Sequence, residues 1–290
     1  MNDLRNKRVL VTGVGIKPIR RIFHDIVTGE ASHTPVIDGE TEHKANIGAA
    51  IALECAKAGA VVHMVSHSED KLQIVQRWIR REIPGSVIKY SVVNLGDQSG
   101  LEHLAKDIPD DLPLYWIQSL GLGAGTVEIK DDNPYIPIEE IPSELIDAEF
   151  SVTKSTIGLL QALLPRFREQ EETRICIISS MSAIRSMVPA SIHHAAKGAL
   201  DRFTNAAMLE FEPRGIFVTT VRPGAIDTGL YDSDAVQRSV KTMCKGYGRE
   251  DTRYAPPSSV AEAVVLALTS EAHITSLNLV ARGQFPHEGS

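Results

Sequence analysis

The sequence predicts one α/β domain built as a doubly wound, parallel sheet of seven strands. Three observations carry this expectation. Short β-branched runs alternate with longer helical patterns along all 290 residues. The runs are apolar almost throughout, as strands covered on both faces are. No Pro/Gly/Ser-rich linker separates one half from the other. Alternation repeated this often means βαβ units, and hence a parallel sheet.

In chain order the expected strands are RVLVTG (8–13), VVHMVS (61–66), VIKYSVV (87–93), LYWIQSL (114–120), RICIISS (174–180), IFVTTVRPG (216–224) and SLNLVA (276–281). Between them, helical stretches are expected over 46–60, 69–83, 99–108, 144–169, 191–212 and 258–272. The domain spans 1–290. An open sheet of this kind binds ligands beyond the carboxyl ends of its strands, where strand order reverses. Functional residues are therefore expected after Thr12, Ser66, Asn94, Ser119, Ser180 and Pro223.

Composition narrows the function. With 43% hydrophobic and 23% charged residues the chain can bury a substantial core. The net charge of -7, without a long basic run, argues against nucleic acid as a partner. The opening apolar run is too short for a leader or a membrane span. Cys55, Cys176 and Cys244 are odd in number and widely spaced, offering neither a disulfide framework nor a metal knuckle. The expectation is a cytoplasmic protein acting on a small molecule, with no membrane partner and no metal.

The first strand ends in VTGVG, and the first clear helix opens with NIGAAIA. In a dinucleotide fold these meet directly, so that glycines admit the pyrophosphate and the helix N-terminus supplies amides and positive dipole. Here about thirty residues, 16–45, intervene. They are expected to loop out while Thr12, Gly13 and Gly15 rejoin Asn46, Ile47 and Gly48. Asn46 stands in for a glycine, on the ground that Asn visits left-handed backbone more readily than most residues.

At this point the chain resembles the short-chain dehydrogenase/reductase superfamily, over nearly its whole length apart from the insertion. VTG…NIGAAIA is similar to the family's TGxxxGxG turn, and NLGD (94–97) stands at its adenine-contacting segment. SLGLG (119–123) stands where Asn-Asn-Ala-Gly ends the fourth strand, and IISS (177–180) resembles the serine strand. HHAAK (193–197) aligns with the Tyr-x-x-x-Lys helix, and VRPGAIDTGL (221–230) is similar to the Pro-Gly motif with its nicotinamide-facing threonine. The resemblance implies a Rossmann fold, an NAD(P) cofactor and hydride transfer between nicotinamide and a carbonyl or alcohol of medium size. It assigns cofactor contacts to the turn residues and to Ser66, His67, Asn94, Leu95, Ser119, Gly121, Lys197, Pro223, Gly224, Ile226 and Thr228.

The family's catalytic group is a Ser, a Tyr and a Lys, often with an Asn. By the resemblance Ser180 polarises the substrate oxygen and Lys197 holds the nicotinamide ribose. The tyrosine position is His193, and the asparagine position is Val152. An imidazole can serve as acid or base near neutral pH, its reference pKa being about 6.5. His193 is accordingly the third candidate catalytic residue, with a packing role as its alternative. His194 points about 100° away on a helix and is no automatic replacement.

No acidic residue stands at Ser66 or His67 to exclude a 2′-phosphate, so NADP(H) is preferred over NAD(H). Lys44, Arg20 and Arg21 are candidate cations for that phosphate. The insertion is expected to act as a lid or an interface arm, with RRIFHDIV (20–27) carrying a short amphipathic face. Residues 225–257 form the expected substrate loop, with Tyr231, Met243, Tyr247 and Tyr254. The helices over 143–169 and 191–213 have apolar residues on more than one face, and the resemblance implies a homodimer or homotetramer. Two other functions remain open on this fold. One is a lyase, isomerase or cyclase with His193 as base; the other is a cofactor-binding protein without turnover.

Overall fold

Arg8–Thr12 (β1) is buried at every position because it lies in the interior of a seven-stranded sheet. The computed structural model describes residues 3–121, 133–246 and 248–284. After β1 come three short strands, β2 (Ile16–Pro18), β3 (Pro35–Asp38) and β4 (Thr41–Ala45), then α1 (Ile47–Lys57). The chain continues through β5 (Val61–Ser66), α2 (Glu69–Glu82), β6 (Ile88–Val92), α3 (Gln98–Asp107) and β7 (Leu114–Gln118). Then follow α4 (Ser143–Phe167), β8 (Thr173–Ile178), α5 (Ser191–Phe211), β9 (Ile216–Pro223), α6 (Asp234–Gly246), α7 (Pro257–Thr269) and β10 (Ser276–Leu279).

The main sheet runs β10-β9-β8-β7-β1-β5-β6, and all its pairings are parallel. From β1 the chain moves outward to β5 and β6, then returns to β7 on the other side of β1. The strand order therefore reverses between β1 and β7, the place where such sheets bind ligands. Side chains alternate across the pleat. Val9 and Val11 join the core under α1, α2 and α7, while Leu10 joins the core under α3, α4 and α5. The predicted fold class is the one observed, with all seven strands at the expected places.

The insertion is folded. β2, β4 and β3 form an antiparallel sheet of their own. Asp38 pairs with Thr41 across a two-residue Gly39-Glu40 turn, with Gly39 at φ +63, a conformation that favours glycine. The expected amphipathic run over 20–27 is irregular instead. Asp25 accepts the amides of Val27 and Thr28 and closes a turn there. Phe23 alone of the grouped apolar residues turns inward, its ring 4.2 Å from that of Tyr254, while Ile22, Ile26 and Val27 are exposed.

Lys44 fastens this small sheet to the segment after β9. Its ammonium is wholly buried and donates to Asp227 at 2.6 Å and Asp232 at 2.8 Å. Ser32 donates to Asp227, and the amides of Arg20 and Arg21 donate to Asp232. The segment read from sequence as a loop contains α6, which buries Val236, Val240 and Cys244 at four-residue spacing.

Candidate active site

The broken turn closes on one side chain. Asn46 Oδ1 accepts the amide of Gly15 at 3.0 Å and that of Ala49 at 2.8 Å, while its Nδ2 donates to the Gly13 carbonyl at 2.8 Å. The Asn46 amide in turn donates to Gly15 O at 3.0 Å. Asn46 is thus the N-cap of α1 and the staple across the insertion at once. Its backbone is extended, φ -81 and ψ 177, so the left-handed rationale for Asn here is replaced by capping chemistry. The first-turn amides of Ile47 and Gly48 have no acceptor within the helix and are available to an anion. Close approach makes the glycines necessary. A Cβ on Gly48 would lie 2.7 Å from Gly13 O, and one on Gly13 would lie 2.1 Å from Ser119 O.

Beyond the strand ends lies a cleft of about 760 Å³, within the size range of small-molecule sites. Asn46, Ile47, His67, Ser119 and Gly121 line the part over β1, β5 and β7. Ser180, His193, Lys197, Pro223, Gly224, Ile226 and Thr228 line the rest. The other expected contacts stand back from it. Thr12 is wholly buried, with its hydroxyl between Ile117 O and the Trp116 indole N–H. Gly13, Gly15 and Gly48 shape the turn from behind. Ser66 closes β5, Asn94 is exposed and caps the Gly96 amide, and Leu95 packs in the core. Leu122, Gly123 and Tyr247 lie outside the described residues.

Two expected phosphate cations are corrected. Lys44 is sealed in its pair of carboxylates, and the guanidinium of Arg21 pairs with Asp234. Arg20 and Arg21 border a separate groove beside the start of α6. The basic side chains that do line the cleft include His67 and Lys71. Among the described residues no group of three His, Cys, Asp or Glu gathers as metal ligands would.

The catalytic candidates come from three elements. Ser180 follows β8 and caps a short turn, its Oγ accepting the Ser182 amide at 3.0 Å. His193 and Lys197 lie one turn apart at the start of α5. Val152, on α4, is buried and borders the cleft. The residue that sequence reasoning missed is Glu149, one turn before Val152 on the same face of α4. Its Oε1 sits 2.7 Å from His193 Nδ1, and its side chain is only 2% exposed. A signal existed: a carboxylate between Leu145, Ala148 and Val152 interrupts an otherwise apolar stripe.

Electrostatics are compact here. Burial alone would raise the Glu149 carboxyl, but His193, its hydrogen bond, Lys197 and His194 hold it below the usual value. Desolvation lowers the Lys197 ammonium, with the Glu149 charge working against that fall. His194 is turned away: its Nε2 accepts the Met187 amide at 2.7 Å, and burial with the neighbouring His193 pushes it down to about 4. Tyr135 meets the His193 ring edge-on, centroids 5.8 Å apart, and its hydroxyl lies 3.2 Å from that of Tyr231. Burial raises both phenols, which stay neutral. Beyond Ser180 a smaller chamber is walled by Tyr135, Tyr231, Met187, Ala225 and Met243.

The comparisons agree with this architecture. The family model described as short chain dehydrogenase matches residues 41–238. An uncharacterized oxidoreductase of Staphylococcus aureus (strain N315) is 27% identical over 236 residues, covering 81% of this chain and 92% of that protein. An 11-beta-hydroxysteroid dehydrogenase-like protein of Arabidopsis thaliana is 28% identical over 232 residues, covering 75% and 72%. Among solved structures, an NADPH-bound short chain oxidoreductase from Pseudomonas aeruginosa PAO1 containing an atypical catalytic center superposes with a TM-score of 0.72 at 17% identity, covering 96% and 97%. L-sorbose reductase from Gluconobacter frateurii, complexed with NADPH and L-sorbose, gives 0.69 at 18% identity, covering 98% of each chain. Fold, strand-end cleft and family match converge, and the chain belongs to the short-chain dehydrogenase family of oxidoreductases.

Proposed function

We propose that the chain reduces a medium-sized, partly apolar carbonyl compound with NADPH. One observation carries this reading: Ser180, His193 and Lys197 open onto the same cleft as the Asn46–Ile47 helix start. The turn fits a dinucleotide. Its first-turn amides and positive dipole suit a diphosphate, and its close backbone approach at Gly13 and Gly48 leaves no room for a Cβ. A bound reduced nicotinamide supplies the hydride. Ser180 donates its hydroxyl hydrogen bond to the substrate oxygen, and His193 Nε2 delivers the proton to it. Lys197 holds ribose hydroxyls, and Thr228 orients the carboxamide. Tyr135, Tyr231 and Met243 exclude water around the substrate.

NADP(H) over NAD(H) is favoured by His67 and Lys71 on the cleft wall after β5, where neither Ser66 nor His67 is a carboxylate that would repel a 2′-phosphate. The NADPH and NADP complexes among the structural neighbours support the same choice. A homodimer or homotetramer belongs to this reading, supported by the exposed Ile146, Phe150 and Leu209 on α4 and α5. So does a cytoplasmic setting, which suits three buried free thiols. No helix among the described residues is long and apolar enough to cross a membrane.

The test is direct. Purified protein should enhance or shift NADPH fluorescence and oxidise NADPH against a panel of ketones and quinones, with His193→Ala abolishing turnover. A second reading has its own support: with Nδ1 on Glu149, an unprotonated Nε2 is a competent base for a lyase or isomerase. Cofactor bound without consumption would favour that reading or a protein without turnover.

A further inference from the structure

We propose that Glu149 is the positioning residue of His193: it fixes the ring with Nε2 toward the cleft and supplies the charge that makes imidazolium tenable beside Lys197. The proposal deepens the reductase reading and rests on it for the direction of proton transfer.

His193 and Lys197 set two charge requirements in conflict. A Lys ammonium beside a tyrosine helps catalysis, because it stabilises the phenolate. The same ammonium beside an imidazole works against it, because the form that gives up a proton is itself a cation. With His at 193 and Lys at 197, the site therefore needs a compensating negative charge. Glu149 is placed to be that charge, on a neighbouring helix, 2.7 Å from Nδ1 and screened from solvent. Its own carboxyl is held ionised by the groups it faces.

Among the described residues, several elements contribute a group to this balance around the ring. α5 brings Lys197 and His194; α4 brings Glu149. The segment before α4 brings Tyr135, and the segment after β9 brings Tyr231. The turn after Ser180 brings Arg185, whose charge reaches His194. Glu149 is the one carboxylate named among them, and both phenols remain neutral. Geometry adds orientation. An Nδ1–H donated to Oε1 leaves Nε2 as the exchangeable position, and the Tyr135 ring packs against the imidazole in a T-shaped contact.

The step balances as follows. The carbonyl carbon receives the hydride, its π pair moves to oxygen, and that oxygen takes the proton from Nε2. The ring is left neutral, still donating Nδ1–H to Glu149, and Nε2 regains its proton from water in the cleft.

The decisive experiment needs no substrate. Full-length protein labelled with ¹⁵N-histidine is titrated, and the His193 ring nitrogens are assigned by their loss in His193→Gln. We expect Nδ1 to stay protonated throughout while Nε2 titrates. Glu149→Gln, which keeps shape and removes charge, should lower the midpoint by about one pH unit or more, and Glu149→Asp should restore part of it. An Nδ1 without a proton in the unmodified protein overturns the proposal, as does an unchanged midpoint in folded Glu149→Gln. Should Glu149→Gln fail to fold, the unmodified protein and Glu149→Asp decide. A kinetic arm uses NADPH with phenanthrenequinone as the probe. In Glu149→Gln, kcat should fall at least tenfold with KM little changed, and the alkaline limb should move to lower pH. No NADPH consumption by the unmodified protein would remove the reductase reading, while the ring titration still decides the role of Glu149.

Discussion

Gly15 and Asn46 stand thirty-one positions apart and hold each other in both directions, the Gly15 amide on Asn46 Oδ1 and the Asn46 amide on Gly15 O, each at 3.0 Å. A chain that inserts a folded sheet into its phosphate turn must pin both edges of the break, and this residue pair does so. Asn46→Asp keeps the two acceptor bonds and a good cap but turns its second oxygen on the Gly13 carbonyl that Nδ2 now serves, so a stability loss of about 1 kcal/mol or more is expected. It loses the donor to Gly13 O and places a carboxylate where the diphosphate belongs. NADPH affinity should fall at least tenfold, read as loss of the NADPH-induced rise in melting temperature. Asn46→Ala, losing cap and staple together, should cost about 1–2 kcal/mol or more even without cofactor. Equal NADPH affinity in Asn46→Asp and the unmodified protein would remove the turn from the binding site.

Lys44→Met tests the fastening of the insertion. Removing one member of a buried ionic group leaves its partners uncompensated, typically at a cost of about 3–5 kcal/mol. Burial already raises Asp227, with Lys44 working against that rise. A carboxyl raised in the folded state is protonated there before it is in the unfolded chain, so stability falls as pH rises through the folded value. Without Lys44 the rise should be larger. The loss in Lys44→Met should therefore be smallest in acid and grow toward neutral pH, followed by thermal melts across that range. A pH-independent loss would mean that packing, not charge, is what Lys44 provides.

His63 offers a second pH prediction. Burial, with the charges of Arg8 and Lys89, lowers this ring from 6.5 to about 4, and its Nε2 lies 2.8 Å from Ser91 Oγ. Above 6.5 folded and unfolded rings are both neutral. Between those values the unfolded chain takes up a proton that the folded one refuses, so stability is lost as pH falls. The contribution is about 3 kcal/mol, and His63→Asn should flatten the acid side of the melting profile.

How much of this was legible in the sequence follows from what each segment buries. The five inner strands of the main sheet read clearly, because each is buried on both faces and apolar nearly throughout; the edge strands β6 and β10 are partly exposed and read from their place in the strand–helix alternation. Residues 35–45 did not, although Asp38-Gly39 is a hairpin signal, since the two strands are only four and five residues long and β4, TEHKA, is polar apart from Ala45. Residues 20–27 misled, because Ile22, Phe23, Ile26 and Val27 have helical spacing while only Phe23 turns inward. α6 was hidden by its charged face, though Val236, Val240 and Cys244 mark its buried side. Ser180, His193 and Lys197 were named by the resemblance, and they line one cleft. Glu149 was not, because its meaning depends on a histidine forty-four residues later.

The last prediction reverses the tyrosine exchange. His193→Tyr places a phenol where the ring now meets Glu149. A carboxylate beside a phenol stabilises its protonated form, as burial already does for Tyr135. Lys197 alone must then oppose both Glu149 and desolvation to create phenolate. The single variant should therefore stay at least tenfold below the unmodified protein in NADPH consumption with phenanthrenequinone. Glu149→Ala added to His193→Tyr removes the opposing charge and opens space for the longer ring, and should recover activity over the single variant. Glu149→Ala alone should be impaired. A gain from Glu149→Ala in the tyrosine background and a loss in the histidine background together require that Glu149 act through residue 193. If both backgrounds lose activity alike, the carboxylate serves the packing of α4 against α5, and the histidine works without it.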